Sequence, residues 1–340
     1  MMRSNASVAV RAISATRAPA RVIAAVLAAA AALAGCARPA TDPHASHRHA
    51  GSQLAGAPRQ AGSGLAAVRR GLSHTAGGGP AYYLSLGDSL SRGVQPTATG
   101  ADVQTPRGYA DRLEAWLRTA IPRLRLVKLG CSGETTSTMI HGGICRYPAG
   151  SQLAQAATFL RAHRGSTALI TIDIGGNDPN SCVIGARPAT IVGCAISRIP
   201  LIERNLSTIL ATLRSAAGRR VLIVGMTYYV PELGLWRSGH TGRQIGMVTG
   251  AFVAGVNRIL AKRYHRYGAR VADVFAAFRS TDFGPGGPAG ASRAAKLPPN
   301  VRVICSLTWM CAASPRGPNE HATDAGYRVI ARTFWRAITG

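Results

Sequence analysis

Lysine is nearly absent from this 340-residue chain, in which Lys128, Lys262 and Lys296 are the only examples. Acidic residues are also scarce, 14 against 40 basic ones, so arginine supplies almost all of the formal net charge of +26. The arginines are scattered and no recognition motif accompanies them, which disfavours a nucleic-acid-binding protein. Such a basic surface favours contact with anionic lipid headgroups or envelope polymers instead.

Motifs of several common enzyme classes are missing as well. The chain has no Cys-x-x-Cys or His-Glu-x-x-His spacing for zinc and no Gly-x-Ser-x-Gly elbow of an α/β-hydrolase. The glycine-rich segment 284–290 contains prolines and follows no predicted strand, so it does not predict a nucleotide-binding loop. His44, His47 and His49 fit a solvated segment better than a metal site. We therefore expect neither a metal nor an organic cofactor.

The N-terminal apolar run is too short to span a bilayer comfortably. It covers residues 22–33 and follows four arginines, a pattern that predicts a signal peptide over residues 1–35. The next residue, Cys36, ends the sequence Leu33-Ala34-Gly35-Cys36, which resembles a bacterial lipobox. The prediction is an exported protein that is lipidated at Cys36, and ordinary cleavage nearby is the alternative.

The rest of the chain divides into a tether and a folded domain. Residues 36–79 are rich in Ala, Gly, Pro, His and Arg without hydrophobic periodicity, which predicts a flexible tether. Residues 80–340 form the predicted domain, which we expect to be monomeric. Its six cysteines fit export and suggest disulfides, although sequence alone permits about 15 connectivities. Short local loops favour the pairs Cys131–Cys145, Cys182–Cys194 and Cys305–Cys311.

From residue 81 onward, short apolar runs alternate with helical patterns. Such alternation predicts an α/β fold with a parallel sheet covered by helices on both faces. The predicted strands cover residues 81–86, 124–129, 168–174, 221–226 and 270–274, and the clearest helical patterns cover 109–117, 202–213, 244–262 and 324–338.

Four separate blocks together supply the parts of an acyl-transfer site. Ser89 follows the first predicted strand, Gly133 the second and Asn177 the third, whereas His321 precedes the last predicted helix. Acyl transfer needs a nucleophile, a base and donors for the developing oxyanion. In an open α/β sheet, loops at the carboxyl ends of the strands share one edge.

These blocks, with Gly87-Asp88-Ser89 at their head, resemble the GDSL-type or SGNH hydrolase family from about residue 81 to the C-terminus. The resemblance implies a flavodoxin-like three-layer α/β/α sandwich. It also implies that Ser89 is the nucleophile and His321 the base. The backbone N–H groups of Ser89 and Gly133, with the Asn177 side chain, would form the oxyanion hole.

The chain departs from the family beside the histidine. Family members usually carry Asp three residues before it and Pro just after it, but Pro318 and Ala322 stand here. We expect a Ser–His dyad in which the Pro318 carbonyl orients His321. Glu320 and Asp324 are the fallback acids.

The predicted activity is hydrolysis of carboxylic esters of lipids or other acylated molecules through an acyl-enzyme on Ser89. A membrane contact would come from the lipid anchor and the basic surface. Removal of acetyl groups from carbohydrate and acyl transfer to an acceptor other than water are alternatives with the same site. An inactive envelope-binding lipoprotein is the alternative from another class, and the replacement at Pro318 is the feature that favours it.

Overall fold

The computed structural model describes residues 66, 68–69, 79–182, 188–293 and 296–340. The predicted signal peptide, Cys36 and most of the predicted tether lie outside the described residues. Within the tether, Val68 is fully buried and Arg69 Nη2 donates to the Ala120 carbonyl at 3.1 Å. This part of the segment therefore contacts the domain, a contact that an isolated valine without periodicity could not predict.

A five-stranded parallel sheet forms the centre of the domain. Its strand order is β4-β1-β5-β6-β7, and β2 and β3 form a separate antiparallel hairpin. This is the flavodoxin-like order, so the predicted α/β class is confirmed. The strands are β1 Ala81–Gly87, β2 Val94–Pro96, β3 Asp102–Gln104, β4 Leu124–Lys128, β5 Thr167–Asp173, β6 Leu222–Met226 and β7 Arg270–Ala272.

Helices connect the strands, and 3₁₀ turns lie at Asp178–Cys182, Pro231–Ser238 and Trp309–Cys311. The helices are α1 Ser89–Arg92, α2 Tyr109–Arg118, α3 Thr136–His141, α4 Gln152–Ala162, α5 Pro188–Ala217, α6 Gly239–Arg266, α7 Val274–Ala277, α8 Gly287–Arg293, α9 Pro299–Leu307 and α10 Asp324–Thr339.

Apolar cores lie on both faces of the sheet, which gives the predicted three layers. On one face α2 packs on α10, where the rings of Tyr109 and Phe334 stack with their centroids 4.6 Å apart. On the other face α5 and α6 contribute Leu206 and Leu260 to a core that β5 also lines. All seven residues of β5 are buried, as expected for a strand covered on both sides.

The segment Pro231–Arg266 is long and apolar enough to cross a membrane by length and composition alone. Within it, Val256, Leu260 and Tyr264 of α6 are buried in the core beside the sheet. We therefore interpret α6 as a packing helix of the domain.

The six cysteines that follow Cys36 form the local disulfides expected from the sequence. Their pairs are Cys131–Cys145, Cys182–Cys194 and Cys305–Cys311.

The strand order also fixes where a ligand can bind. From β1 the chain crosses to β4 at one edge, then returns past β1 to β5 on the other side. In open α/β sheets a crevice forms outside the carboxyl ends of the strands at such a switch point. The loops that follow β1, β4 and β5 therefore border one crevice.

Candidate active site

Ser89 is the first residue of α1, immediately after the tight turn that ends β1. Gly87 in this turn has φ +125°, and a Cβ there would overlap the Asp173 carbonyl oxygen, so only glycine fits. The Asp88 carboxylate caps α1 by accepting from the Leu90 N–H at 2.9 Å. Ser89 itself is half-buried. The turn therefore fixes the start of α1 at the sheet edge without covering the serine.

Two buried carboxyl groups lie beneath this turn. Asp173 ends β5 and accepts from Tyr109 Oη at 2.5 Å and from the Ser91 N–H at 3.1 Å. Asp88 accepts from Tyr228 Oη at 2.8 Å. Burial, and then the charge of Asp88, raise the pKa of Asp173 well above its ordinary value. Burial also raises the pKa of Asp88. The turn thus rests on a polar network that the protein core encloses.

Gly133 lies in the loop after β4, exposed, with φ +81° and no atom within 4 Å of a Cβ built on it. The loop runs beside the β1 turn, because the Cys131 N–H donates to the Gly87 carbonyl at 3.0 Å. Gln152 joins the two loops from below: its side chain bonds both the N–H and the carbonyl of Gly87 and donates to Glu134 Oε2 at 2.9 Å. Burial raises the pKa of Glu134.

Asn177 lies in the loop after β5 and is half-buried. Its Nδ2 donates to the Glu134 carbonyl at 3.1 Å, and its Oδ1 accepts from Asn180 Nδ2 at 3.0 Å. The next residue, Asp178, accepts from both the N–H and the hydroxyl of Thr136. An amide has two N–H groups, so, as far as the described residues go, one hydrogen of Asn177 Nδ2 stays available to a ligand.

The structure therefore places Ser89, Gly133 and Asn177 on loops that hydrogen bonds hold side by side. Within the described part of the chain, the backbone N–H groups of Ser89 and Gly133 donate to no other group. Unpaired N–H groups beside an available amide hydrogen are the donor set that stabilises an oxyanion.

His321 precedes α10, which begins at Asp324 and is capped by Thr323. It is only 3% exposed. Two consecutive tyrosines join its loop to the Ser89 turn: Tyr229 Oη donates to the Glu320 carbonyl at 2.7 Å, and Tyr228 Oη donates to Asp88. Glu320 precedes His321 and Asp88 precedes Ser89. These two residues are thus hydrogen-bonded to two consecutive tyrosines.

The His321 ring is oriented by Asn319. Asn319 Oδ1 lies 2.9 Å from His321 Nδ1 and also accepts from the His321 N–H at 2.9 Å. This corrects the expectation that the Pro318 carbonyl would orient the ring. The Asn319 side chain folds back over the turn, as Asx residues do, and occupies the position facing Nδ1, whereas Pro318 is exposed.

A carboxylate from another part of the chain stands next to this pair. Asp102 Oδ1 accepts from Asn319 Nδ2 at 2.8 Å and lies 3.6 Å from His321 Nδ1. Burial alone would lower the pKa of His321, but the adjacent Asp102 carboxylate opposes this. The charges of Glu320 and Asp88 act in the same direction, so the pKa is raised above 6.5.

Sequence reasoning missed most of the supporting residues. Asp102 and Gln152 are separated from the family blocks, so no local pattern marks them. Asn319 lies two residues before His321, where a side chain that can fold back over the turn was an available signal. Tyr228 and Tyr229 lie just after β6, a carboxyl strand end where polar side chains are an available signal.

The sequence of the domain matches that of a known family. Residues 85–329 match the family model of GDSL-like lipases and acylhydrolases. No match was found among curated proteins.

Among solved structures, an extracellular lipase from Streptomyces rimosus is 18% identical and has a TM-score of 0.51, covering 76% of this chain and 99% of the lipase. A phospholipase A1 from Streptomyces albidoflavus NA297 is 20% identical with a TM-score of 0.48, covering 76% and 99%. An acetylxylan esterase from Geobacillus stearothermophilus is 17% identical with a TM-score of 0.45, covering 77% and 96%. At such identities the likeness to the first shows a shared fold.

Proposed function

Because the chain belongs to the GDSL-like lipase/acylhydrolase family, we propose that it hydrolyses carboxylic esters through an acyl-enzyme on Ser89. His321 is the base in this proposal. The Ser89 and Gly133 N–H groups and the Asn177 amide are the oxyanion donors. The substrates are esters of lipids or other acylated molecules, and the reaction uses no cofactor.

One observation carries the proposal: the paired tyrosines that tie the Ser89 turn to the His321 loop. Tyr228 binds Asp88 at 2.8 Å and Tyr229 binds Glu320 at 2.7 Å, although these partners are far apart in sequence. Asp88 and His321 are also close enough for each charge to affect the pKa of the other. A nucleophile and a base in one crevice are the core of a serine hydrolase.

The reaction takes two steps. His321 Nε2 accepts the Ser89 hydroxyl proton while Oγ attacks the ester carbonyl, and the oxyanion donors stabilise the tetrahedral intermediate. Collapse of the intermediate breaks the ester bond, and His321 returns the proton to the departing alcohol. Water then attacks the acyl-enzyme by the same route and releases the carboxylic acid.

The test is hydrolysis of p-nitrophenyl esters of graded chain length by the wild type and by Ser89→Ala. We expect turnover that Ser89→Ala abolishes and that Ser215→Ala, at an exposed position on α5, retains. Release of acetate from acetylated sugars alone would favour the carbohydrate acetylesterase. Product formation only with an added alcohol acceptor would favour the acyltransferase. No turnover of any ester would favour the inactive binding protein and contradict the proposal.

We further propose that the protein is exported, anchored by a lipid on Cys36, and monomeric. The disulfides support an oxidising compartment. The lipobox-like sequence supports the anchor. The mass of the purified mature N-terminus tests it: a diacylated Cys36 is expected, and an unmodified N-terminus elsewhere would contradict the anchor.

A further inference from the structure

We propose that Asp102 is a positioning residue for the reaction: it orients Asn319, which in turn orients His321, and it places beside the imidazole a carboxylate that Pro318 cannot supply. The inference rests on the proposed function, because it concerns the protonation and orientation of His321. Its basis is a three-member arrangement of Asp102, Asn319 and His321, with contacts of 2.8 and 2.9 Å.

Asp102 lies on a hairpin that directly follows α1, the helix that begins with Ser89. α1 ends at Arg92, its C-cap Gly93 adopts the left-handed conformation, and β2 follows at once. β2 pairs with β3 so that Pro96 stands opposite Asp102. The hairpin formed by β2 and β3 therefore carries Asp102 from the Ser89 side of the crevice to the His321 side.

The hairpin is held against the His321 loop by polar contacts that are buried or partly buried. Gln95 is 3% exposed; its Nε2 donates to Asp324 Oδ1 at 2.8 Å, and its Oε1 accepts from Trp309 Nε1 at 3.3 Å. Tyr327 Oη of α10 donates to the Val94 carbonyl at 2.8 Å. These contacts involve residues on both sides of His321 in sequence, so the position of Asp102 is fixed by the same elements that position the imidazole.

The chemistry of the three groups determines the tautomer. A carboxylate only accepts hydrogen bonds, so the Asn319 NH₂ faces Asp102 and the amide oxygen faces His321 Nδ1. Nδ1 therefore carries the proton and Nε2 carries the lone pair that a general base needs. Asn319 sets the orientation of the ring, and Asp102 sets the orientation of Asn319.

Asp102 also adds charge at close range. Its side chain is 19% exposed and that of His321 4%, so solvent only partly screens the 3.6 Å separation. The other carboxylates that act on His321 are Glu320 of its own loop and Asp88 of the α1 cap. Of the arginines that contact the elements around this loop, Arg107 pairs with Asp324, and Arg316 lies over the Trp309 ring.

Asp102→Asn separates charge from hydrogen bonding. The amide oxygen that this substitution introduces can still accept from Asn319 Nδ2, so the tautomer is retained while the charge is lost. We expect kcat for p-nitrophenyl acetate to fall about 10- to 100-fold with KM within about twofold. This is less than the roughly 10⁴-fold loss that follows when the tautomer is also wrong. The acid limb of the pH–rate profile should move to lower pH, because removing a negative charge lowers the pKa of His321.

Asp111→Asn is the matched control. The Asp111 side chain is 21% exposed, against 19% for Asp102, and its ion-pair partner is Lys128. It should lose the same formal charge while the rate and the position of the acid limb stay at wild-type values. Circular dichroism and melting temperature establish that each variant is folded.

The exchanged variant Asp102→Asn/Asn319→Asp keeps the test decisive even if the single variant folds poorly. It places the carboxylate against Nδ1 and the amide behind it, so it should restore kcat and return the acid limb towards wild-type pH. Wild-type rate and pH profile in Asp102→Asn would overturn the inference. A second result would also overturn it: Asp102→Asn is slow, its acid limb stays at the wild-type pH, and the exchanged variant does not restore kcat. That is the result expected if Asp102 has only a structural role.

The wild-type rate on p-nitrophenyl acetate distinguishes a failure of the proposed function from a failure of the inference about Asp102. A wild type without esterase activity contradicts the proposed function and removes the inference with it. An active wild type whose rate and pH profile do not change in Asp102→Asn contradicts only the inference.

Discussion

Removing the Tyr228 hydroxyl should weaken the turn that carries Ser89. Tyr228 Oη donates to Asp88 Oδ2 at 2.8 Å, and Asp88 is 2% exposed, so no water can easily replace the lost donor. The ring itself packs against Gly176, and Tyr228→Phe retains that contact. The substitution therefore removes one hydrogen bond and little else.

Its magnitude follows from the kind of bond. A hydrogen bond to a charged group contributes about 1.5–3 kcal/mol, and leaving a buried acceptor unsatisfied costs a similar amount. We expect Tyr228→Phe to lower the free energy of unfolding by about 2 kcal/mol. In a domain of this size that corresponds to a fall in melting temperature of about 4–8 °C. Losing this donor should also raise the pKa of Asp88 further, because the Tyr228 hydrogen bond lowers it.

Tyr264 offers a matched control on α6. It is fully buried, whereas Tyr228 is half-buried, and among the described residues its hydroxyl has no hydrogen-bond partner. Tyr264→Phe should therefore be neutral or stabilising, whereas Tyr228→Phe should destabilise. Urea unfolding with the disulfides intact measures both. Equal destabilisation by the two variants, or a stable Tyr228→Phe, would refute the reasoning that this bond secures the turn.

Further predictions concern the proposed base His321, the proposed oxyanion donor Asn177 and the half-buried acid Glu232. Because the pKa of His321 is raised above 6.5, the rate should fall as pH drops through a midpoint above 6.5, and a flat profile from pH 5 to 8 would contradict this. Asn177→Ala should lower kcat about 10²- to 10³-fold with little change in KM, as steady-state kinetics can show. Burial and the charge of Glu320 raise the pKa of Glu232 to about 7, so native stability falls as pH rises from about 4.5 to 7. At pH 8 the free energy of unfolding of Glu232→Gln should therefore exceed that of the wild type by about 1–2 kcal/mol, and its melting temperature should be higher. At pH 4 the two proteins should not differ.

The strands and long helices of the fold were predictable because their apolar periodicity is strong. The predicted strand 168–174 differs by one residue at each end from β5, and the predicted last helix 324–338 is α10 almost unchanged. The β2–β3 hairpin was missed because three-residue strands, one of them ending in Pro96, carry too little alternation to stand out.

The four family blocks could be found in the sequence, but the contacts that join them could not. Asp102 reaches Asn319 across 217 positions, and Tyr228 reaches Asp88 across 140. No local pattern encodes such pairings, since they arise only when the hairpin and the loop after β6 fold over the sheet edge. The partner of His321 was expected at Pro318, but the structure supplies Asn319 from the same loop and Asp102 from the β2–β3 hairpin.

The most direct measurement is covalent labelling by a fluorophosphonate, followed by mass spectrometry of the modified peptide. Our account predicts one phosphonylated serine, Ser89, with no labelling of Ser89→Ala and labelling of His321→Ala slowed by at least about 10³-fold. An unlabelled wild type, a label on another serine, or His321→Ala reacting at the wild-type rate would contradict the pairing of these two residues.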